Sequence, residues 1–395
     1  MHYTFPEIRT ISDVLPHIEG RDEFIVAERE GYTVINYVVA MADTFGSVSI
    51  GSKLIRGAPK EFHYDYSSLV RRECRGLIFD RDGNIMSRPF HKFFNVNERD
   101  ETQVNKIDML QPHIIMEKMD GSMIRPILVD GYLRLATKMG VTEVSMQAEE
   151  WLAAQDSEYK EWLRAYIDNG YTPIFEWVSP FNQIVLAYEE ADLVLLAIRE
   201  NVTGRYLDLD EEMTEIRCPF TVVPRYGSME GNIVDYINRQ REAEGREGDI
   251  IAFADGHRLK IKNDWYVRIH KTLDRVKFDR NIVDLILNED VDDVIPMLPQ
   301  EQVTRIRDFE TSFWKAFKQK ENRLYGLYMA ATQTYDGDRK RIALEFVPTL
   351  EHKADASFVF RMLDGKELRE LLLDHIRKSI SSNTKWDACA EWMGM

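Results

Sequence analysis

Three Asp-Gly pairs fix the kind of sheet this chain can build. Asp82-Gly83, Asp130-Gly131 and Asp255-Gly256 each separate two short apolar runs, in GLIFDRDGNIMSRP, IRPILVDGYLRLAT and DIIAFADGHRLKIK. Asp and Gly tolerate the positive φ of a type I′ turn, so each pair predicts a β-hairpin. Hairpins impose antiparallel pairing, which excludes a doubly wound parallel sheet for the segment from about Tyr32 to Lys262. Between the hairpins, residues 144–169 read as helical, with Trp151, Trp162 and Leu163 set among charged positions.

After about Val276 the period changes. Phe309, Phe313 and Phe317 recur at four-residue steps, followed by Leu324, Leu327 and Tyr328, which makes one apolar helix face. GKELRELLLDHIRKSI, Gly365 to Ile380, is a second amphipathic helix. The expected fold class is therefore α+β: an antiparallel-sheet domain over residues 1–275, then an all-helical C-terminal domain over residues 276–395.

Composition narrows the function classes. The longest apolar run, Ala191 to Ile198, falls well short of the roughly 18 residues a membrane span needs. MHYTFPEIRT, with early charges and a proline, does not read as a signal peptide. Cys74, Cys218 and Cys389 lack CxxC spacing, which excludes a zinc ribbon or a disulfide framework. A cytoplasmic protein with no membrane contact and no obligate protein partner is expected. The net charge of −16 excludes affinity through a diffuse basic surface, so a polyanion would need a local basic groove. Arg258 to Arg280, with eight Lys or Arg against three Asp, offers one, although a solvated charged face is the better reading of that stretch taken alone.

The segment HIIMEKMDGSMIRP carries the strongest chemical signal. Its apolar run would deliver Lys118 to the end of a strand, and Gly121 would let the backbone approach a ligand closely. A lysine held there beside other cations can lose its proton and attack phosphorus. Downstream, PIFEWVSPFNQIV sets Glu176 between Phe175 and Trp177. It is either a buried carboxylate that needs a partner or an outward residue of an alternating strand. EGDIIAFADGHRLKIK then supplies Glu247 at a strand start, with Lys260 and Lys262 on one face of the hairpin partner. Two adjacent ammonium groups repel unless a polyphosphate lies between them, the alternative being a solvent-facing edge.

This ordered set resembles the covalent lysyl-nucleotidyltransferase superfamily of ligases and capping enzymes, and most closely the bacteriophage RNA ligase 1 family. The resemblance spans nearly the whole chain. It implies an ATP-grasp-like adenylyltransferase domain in which Lys118 of KMDGS forms the AMP phosphoramidate. It further implies catalytic roles for Lys138 in LATKMG, Glu176 in FEWVSP and Glu247 in EGDII, with Lys260 and Lys262 on phosphate. Arg75 in RRECRGLIFD, Lys92 in SRPFHKFFNVNE and Tyr37 in YTVINY match positions that contact ATP. Asp292 resembles a metal position, and Glu247 would reach a metal through water. Met123 departs from the KxDGxR pattern of DNA ligases, Asp120 departs from the second RNA ligase family, and the helical C-terminus departs from capping enzymes, which continue into a β domain.

The resemblance implies ATP-dependent joining of a 5′-phosphate to a 3′-hydroxyl on single-stranded RNA ends, with Mg²⁺. Its natural substrate would be tRNA nicked in the anticodon loop, in the cytoplasm of a phage-infected bacterium, and the C-terminal domain would choose the RNA. The rival expectations are a non-catalytic RNA-binding protein that keeps the fold, and a ligase acting mainly on DNA ends.

Overall fold

The computed structural model describes residues 3–41, 43–46, 49–50, 62–63, 65–215, 217–229 and 231–395. The chain divides into two compact units, Met1–Val267 and Arg268–Met395.

Among the described residues the first unit has fourteen strands: β1 (Phe24–Arg29), β2 (Tyr32–Tyr37), β3 (Ser49–Ile50), β4 (Phe62–His63), β5 (Arg75–Phe79), β6 (Ile85–Ser87), β7 (Phe94–Asn95), β8 (His113–Glu117), β9 (Ser122–Val129), β10 (Tyr132–Ala136), β11 (Tyr171–Val178), β12 (Asp192–Glu200), β13 (Gly248–Phe253) and β14 (Arg258–Lys262). Three four-stranded sheets result, ordered β1-β2-β5-β6, β10-β9-β11-β12 and β7-β14-β13-β8. All their pairings are antiparallel except β7 with β14. Alternation of apolar residues glues the sheets together. Val34, Ile78, Ile127 and Ala136 join the first to the second, and Met116, Val178, Val194 and Ala252 join the second to the third.

All three Asp-Gly pairs close hairpins, but only one makes the expected turn. Asp130 (φ 51°) and Gly131 (φ 81°) both adopt positive φ, as type I′ requires. At the other two, only Gly83 and Gly256 do so. The β5–β6 connection is longer, and Asp80 Oδ1 accepts from the backbone N–H of Asp82 and of Asn84 to hold it. The predicted helical stretch is two helices, Glu143–Ala153 and Ser157–Asp168, packed on the second sheet through Leu152, Trp162 and Leu163.

The described residues of the second unit contain helices and no strand. Its spine, Gln300–Tyr335, turns the predicted stripe inward: Ile306, Phe313, Phe317 and Leu324 are buried with Ile282, Leu285, Leu372, Ile376 and Trp386. No helix among the described residues is long and apolar enough to cross a membrane.

Candidate active site

A cavity of about 310 Å³ opens between the second and third sheets. Met116, Ile250 and Lys260 line it from the third sheet, Met123, Glu176 and Leu196 from the second, and Tyr37 and Arg75 from the first.

Lys118 enters this cavity because β8 ends one residue earlier. Its backbone N–H donates to the Gly248 carbonyl (2.9 Å), which extends the ladder just far enough to aim the side chain across β13. Gly248 is obligatory for that approach: it has φ 147°, and a Cβ there would lie 2.0 Å from the Ile261 carbonyl oxygen. The group touching the Lys118 amine is a carboxylate rather than a cation. Glu247 Oε2 lies 2.6 Å from Lys118 Nζ, and Glu247 Oε1 lies 2.9 Å from Lys262 Nζ. Glu247 itself is only 3% exposed, so this bridge orients two lysines from a fixed point.

The β13–β14 register sets Gly248 opposite Lys262 and Ile250 opposite Lys260, so both lysines line the cavity as predicted. Lys260 differs from Lys262 in having no carboxylate partner among the described residues. Its Nζ sits 5.3 Å from the centre of the Phe93 ring. Burial first, then the charges of Lys92, Arg75 and Lys118, push the Lys260 ammonium down to about 7. Lys92 lies over the rings of Tyr37 (5.5 Å) and Phe94 (5.3 Å), and Lys138 over Tyr37 (5.8 Å). Burial alone would raise the Tyr37 phenol pKa, but Arg75, Lys92 and Lys138 outweigh it and hold it below its ordinary value. Arg75, Lys92 and Lys260 thus line one cavity without an ion pair among the described residues, with Glu176 facing Arg75 and Glu98 acting on Lys260, whereas Lys138 is exposed and stands outside the lining, over the Tyr37 ring. Such an excess of cations in one place is a site for an anion.

Glu176 faces the cavity from β11, and its partner is backbone. The Gly121 N–H donates to Glu176 Oε1 (3.1 Å). Burial pushes its carboxyl up to about 7; Lys118 opposes that rise and Glu247 adds to it. Gly121 is required for a reason beyond the expected one. A Cβ there would stand 2.3 Å from the Trp177 carbonyl oxygen, so the glycine lets two strands meet, and it also lines the cavity.

Sequence reasoning missed the residues that hold this element rigid. Asp120, 1% exposed, accepts from the backbone N–H of Val185 (2.8 Å) and Leu186 (2.7 Å) through Oδ2, and from the Tyr266 hydroxyl (2.6 Å) through Oδ1. The Asp120 N–H in turn donates to the Tyr188 hydroxyl (3.1 Å). The Asp of KMDGS is therefore a clamp beside Lys118. Asp292 belongs to the second unit, where its carboxylate is exposed and paired with Arg307. Among the described residues no cluster of three or more His, Cys, Asp or Glu forms a metal cage.

Residues 73–266 match the family described as RNA ligase. A putative RNA ligase of Thermovibrio ammonificans is 28% identical over 359 residues, which is 87% of this chain and 88% of the relative. RNA ligase 1 of bacteriophage TS2126 is 25% identical over 336 residues, covering 78% and 79%. Among solved structures, a putative ATP-dependent DNA ligase from Aquifex aeolicus aligns over 90% of this chain and 88% of its own, with 14% identity and a TM-score of 0.43.

Proposed function

We propose that this chain, whose residues 73–266 belong to the RNA ligase family, is an ATP-dependent RNA ligase that works through a lysyl-AMP intermediate. The observation that carries the reading is the juxtaposition of Lys118, ion-paired to Glu247, with Arg75, Lys92 and Lys260 at the same cavity, none of these three in an ion pair among the described residues.

In the first step Lys118 Nζ attacks the α-phosphorus of ATP. The N–P bond forms, the bond to the bridging oxygen breaks, pyrophosphate leaves with one proton of the nitrogen, and the attack requires that the ion-paired ammonium first give up the other. Glu247 Oε2, 2.6 Å away, is placed to receive that proton, while Lys262 keeps the other carboxylate oxygen occupied. Arg75, Lys92, Lys138 and Lys260 stabilise the triphosphate and the charge that develops on the leaving group. An amine poised near neutrality, as Lys260 is, regains its proton when phosphate arrives, so charge is supplied where it is needed. Phe90, Phe93, Met116 and Ile250 offer the apolar walls for the base, and Glu176 lies within the same cavity for the ribose.

In the second step an RNA 5′-phosphate oxygen attacks the lysyl-AMP phosphorus and frees Lys118. In the third the RNA 3′-hydroxyl displaces AMP and the phosphodiester is complete. Both oxygens of Glu247 are engaged and Glu176 has one free, so the residues alone do not make a magnesium site. Mg²⁺ would enter as part of the Mg-ATP substrate, and Glu247 could reach it through water only after releasing one of its lysines. The helical unit chooses the RNA, with tRNA nicked in its anticodon loop as the natural substrate. The test is circularisation of a 5′-phosphorylated single-stranded RNA with ATP, GTP or NAD, beside the matching DNA. Sealing of RNA with ATP alone supports the reading. No sealing with any nucleotide points to a binding protein, and preference for DNA points to a DNA-end ligase.

A further inference from the structure

We infer that Arg258 is a specificity-determining residue that donates hydrogen bonds to a ring-nitrogen acceptor of the bound nucleobase; the inference rests on the nucleotide reading of the cavity. Nothing in the sequence motifs marks this arginine, which lies outside the LKIK element. Its environment does. Arg258 is 7% exposed, and no carboxylate pairs with it among the described residues. Its guanidinium is held over Tyr206 (4.2 Å to the ring centre) and Phe90 (5.1 Å). Nη1 reaches only the Met116 sulfur at 3.8 Å, a weak acceptor, and Nε has no hydrogen-bond partner at all. A planar group with five N–H donors is thus buried with only the Tyr206 side chain and a thioether as neighbours that can accept, and at least one donor is left unsatisfied. Such a group is costly to bury unless a ligand completes it.

The geometry says which part of the ligand that is. Arg258, Lys260 and Lys262 alternate on the cavity face of β14, and β13 sets Ala252, Ile250 and Gly248 opposite them in turn. At about 3.3 Å per residue, Arg258 lies roughly 13 Å along the strand from Lys262, a reach comparable to a nucleotide's. Lys118 and its carboxylate bridge stand at the Lys262 end. Phe90, Met116 and Leu196 stand with Arg258 at the other, where the cavity walls become apolar. The phosphates therefore occupy one end and the base the other, with the arginine at its edge. A donor-only group there accepts any base edge that presents an unprotonated ring nitrogen and rejects one that presents an amine.

The assignment is tested by adenylylation of the full chain, using ATP and its 1-, 3- and 7-deaza analogues on the wild type and on Arg258→Gln and Arg258→Met. For the wild type, one of the three analogues should show a KM raised about ten- to a hundred-fold, the size of a charge-assisted hydrogen bond. In Arg258→Met the KM for ATP should rise by that same factor, the three analogues should become equivalent to ATP, and pyrophosphate inhibition should be unchanged. Arg258→Gln, which keeps a donor, should recover part of the loss. Three analogues equivalent to ATP on the wild type would overturn the assignment whether or not the variants fold. Pyrophosphate affinity falling in step with ATP affinity would also overturn it, by placing Arg258 on phosphate. Absence of label from any nucleotide on the wild type would sink the nucleotide reading itself, a different failure from these two.

Discussion

Replacing Lys260 with Met should make the free protein more stable while destroying its adenylylation. Lys260 has been buried among like charges, and its ammonium falls from 10.5 to about 7. At ~1.4 kcal/mol per pH unit, that depression sets a ceiling of ~5 kcal/mol on what the folded state loses by holding the residue. Solvent reorganisation around a group at a cavity wall reduces this, and we take on the order of 2 kcal/mol as the gain from Met, which keeps the aliphatic packing. For a unit of this size that is a rise in Tm of about 4–8 °C. The sign follows from linkage. The unfolded chain binds the proton between pH 7 and 10.5 and the folded chain does not, so the wild type recovers stability as pH rises through that window. The advantage of Lys260→Met should therefore be complete below pH 7 and vanish by about pH 10.5. Calorimetric melting without nucleotide, at half-unit steps from pH 6 to 10.5, measures it. A variant that melts at or below the wild type at pH 7, or an advantage that does not shrink with pH, would falsify the reasoning.

Four further outcomes are expected. Glu176→Gln should remove a stability loss that the wild type suffers between about pH 4.5 and 7, because a carboxyl raised to about 7 stabilises the fold only while protonated; parallel pH–Tm curves would refute this. Gly121→Ala should destabilise the protein by about 2 kcal/mol or more in the absence of any nucleotide, since the clash is with backbone of a neighbouring strand; an effect seen only on ATP binding would restore the ligand-approach explanation. Asp120→Ala should leave two backbone donors and a tyrosine hydroxyl without their acceptor, with a cost of about 3 kcal/mol in urea unfolding and a fall in adenylylation, whereas Asp120→Asn should keep part of both. A soluble chain ending near Arg280 should still take label from ATP but lose its preference for a nicked anticodon stem-loop over an unstructured RNA; loss of label in that folded truncation would move part of the ATP chemistry into the helical unit.

Most of the charged residues of the cavity wall were legible. Lys118, Glu176, Lys260 and Lys262 sit in recognisable strands at recognisable spacings, and the structure lines one cavity with all four. Period-two alternation sufficed for Lys260 and Lys262 because a strand face is a local property. The pairing of Lys118 with Glu247 is not local: 129 positions separate them, and only the β8–β13 register brings them to 2.6 Å. For the same reason the contact of Gly121 with Trp177 on another strand was not legible, beside its place on the cavity wall. Asp120 gave no sign of its clamp, since its partners Val185, Leu186 and Tyr266 lie in distant segments. Arg258 was invisible because an arginine near the end of a basic stretch looks solvated; only burial against Phe90 and Tyr206 sets it apart. Two Asp-Gly turns were mistyped because the dipeptide marks where a hairpin closes but not how many residues close it.

The central claim is that Lys118 carries AMP, and the most direct measurement is to locate the adduct. The full chain is incubated with ATP labelled at the α-phosphate and Mg²⁺, digested, and the acid-labile, base-stable label assigned to a peptide by mass spectrometry, with Lys118→Arg run alongside. Arginine keeps the charge but does not deprotonate at working pH, so it should fold, retain its pairing with Glu247 and take no label. The account predicts label on the peptide containing Lys118 and none in the variant. Label on any other residue, or an adduct that survives Lys118→Arg, would contradict it.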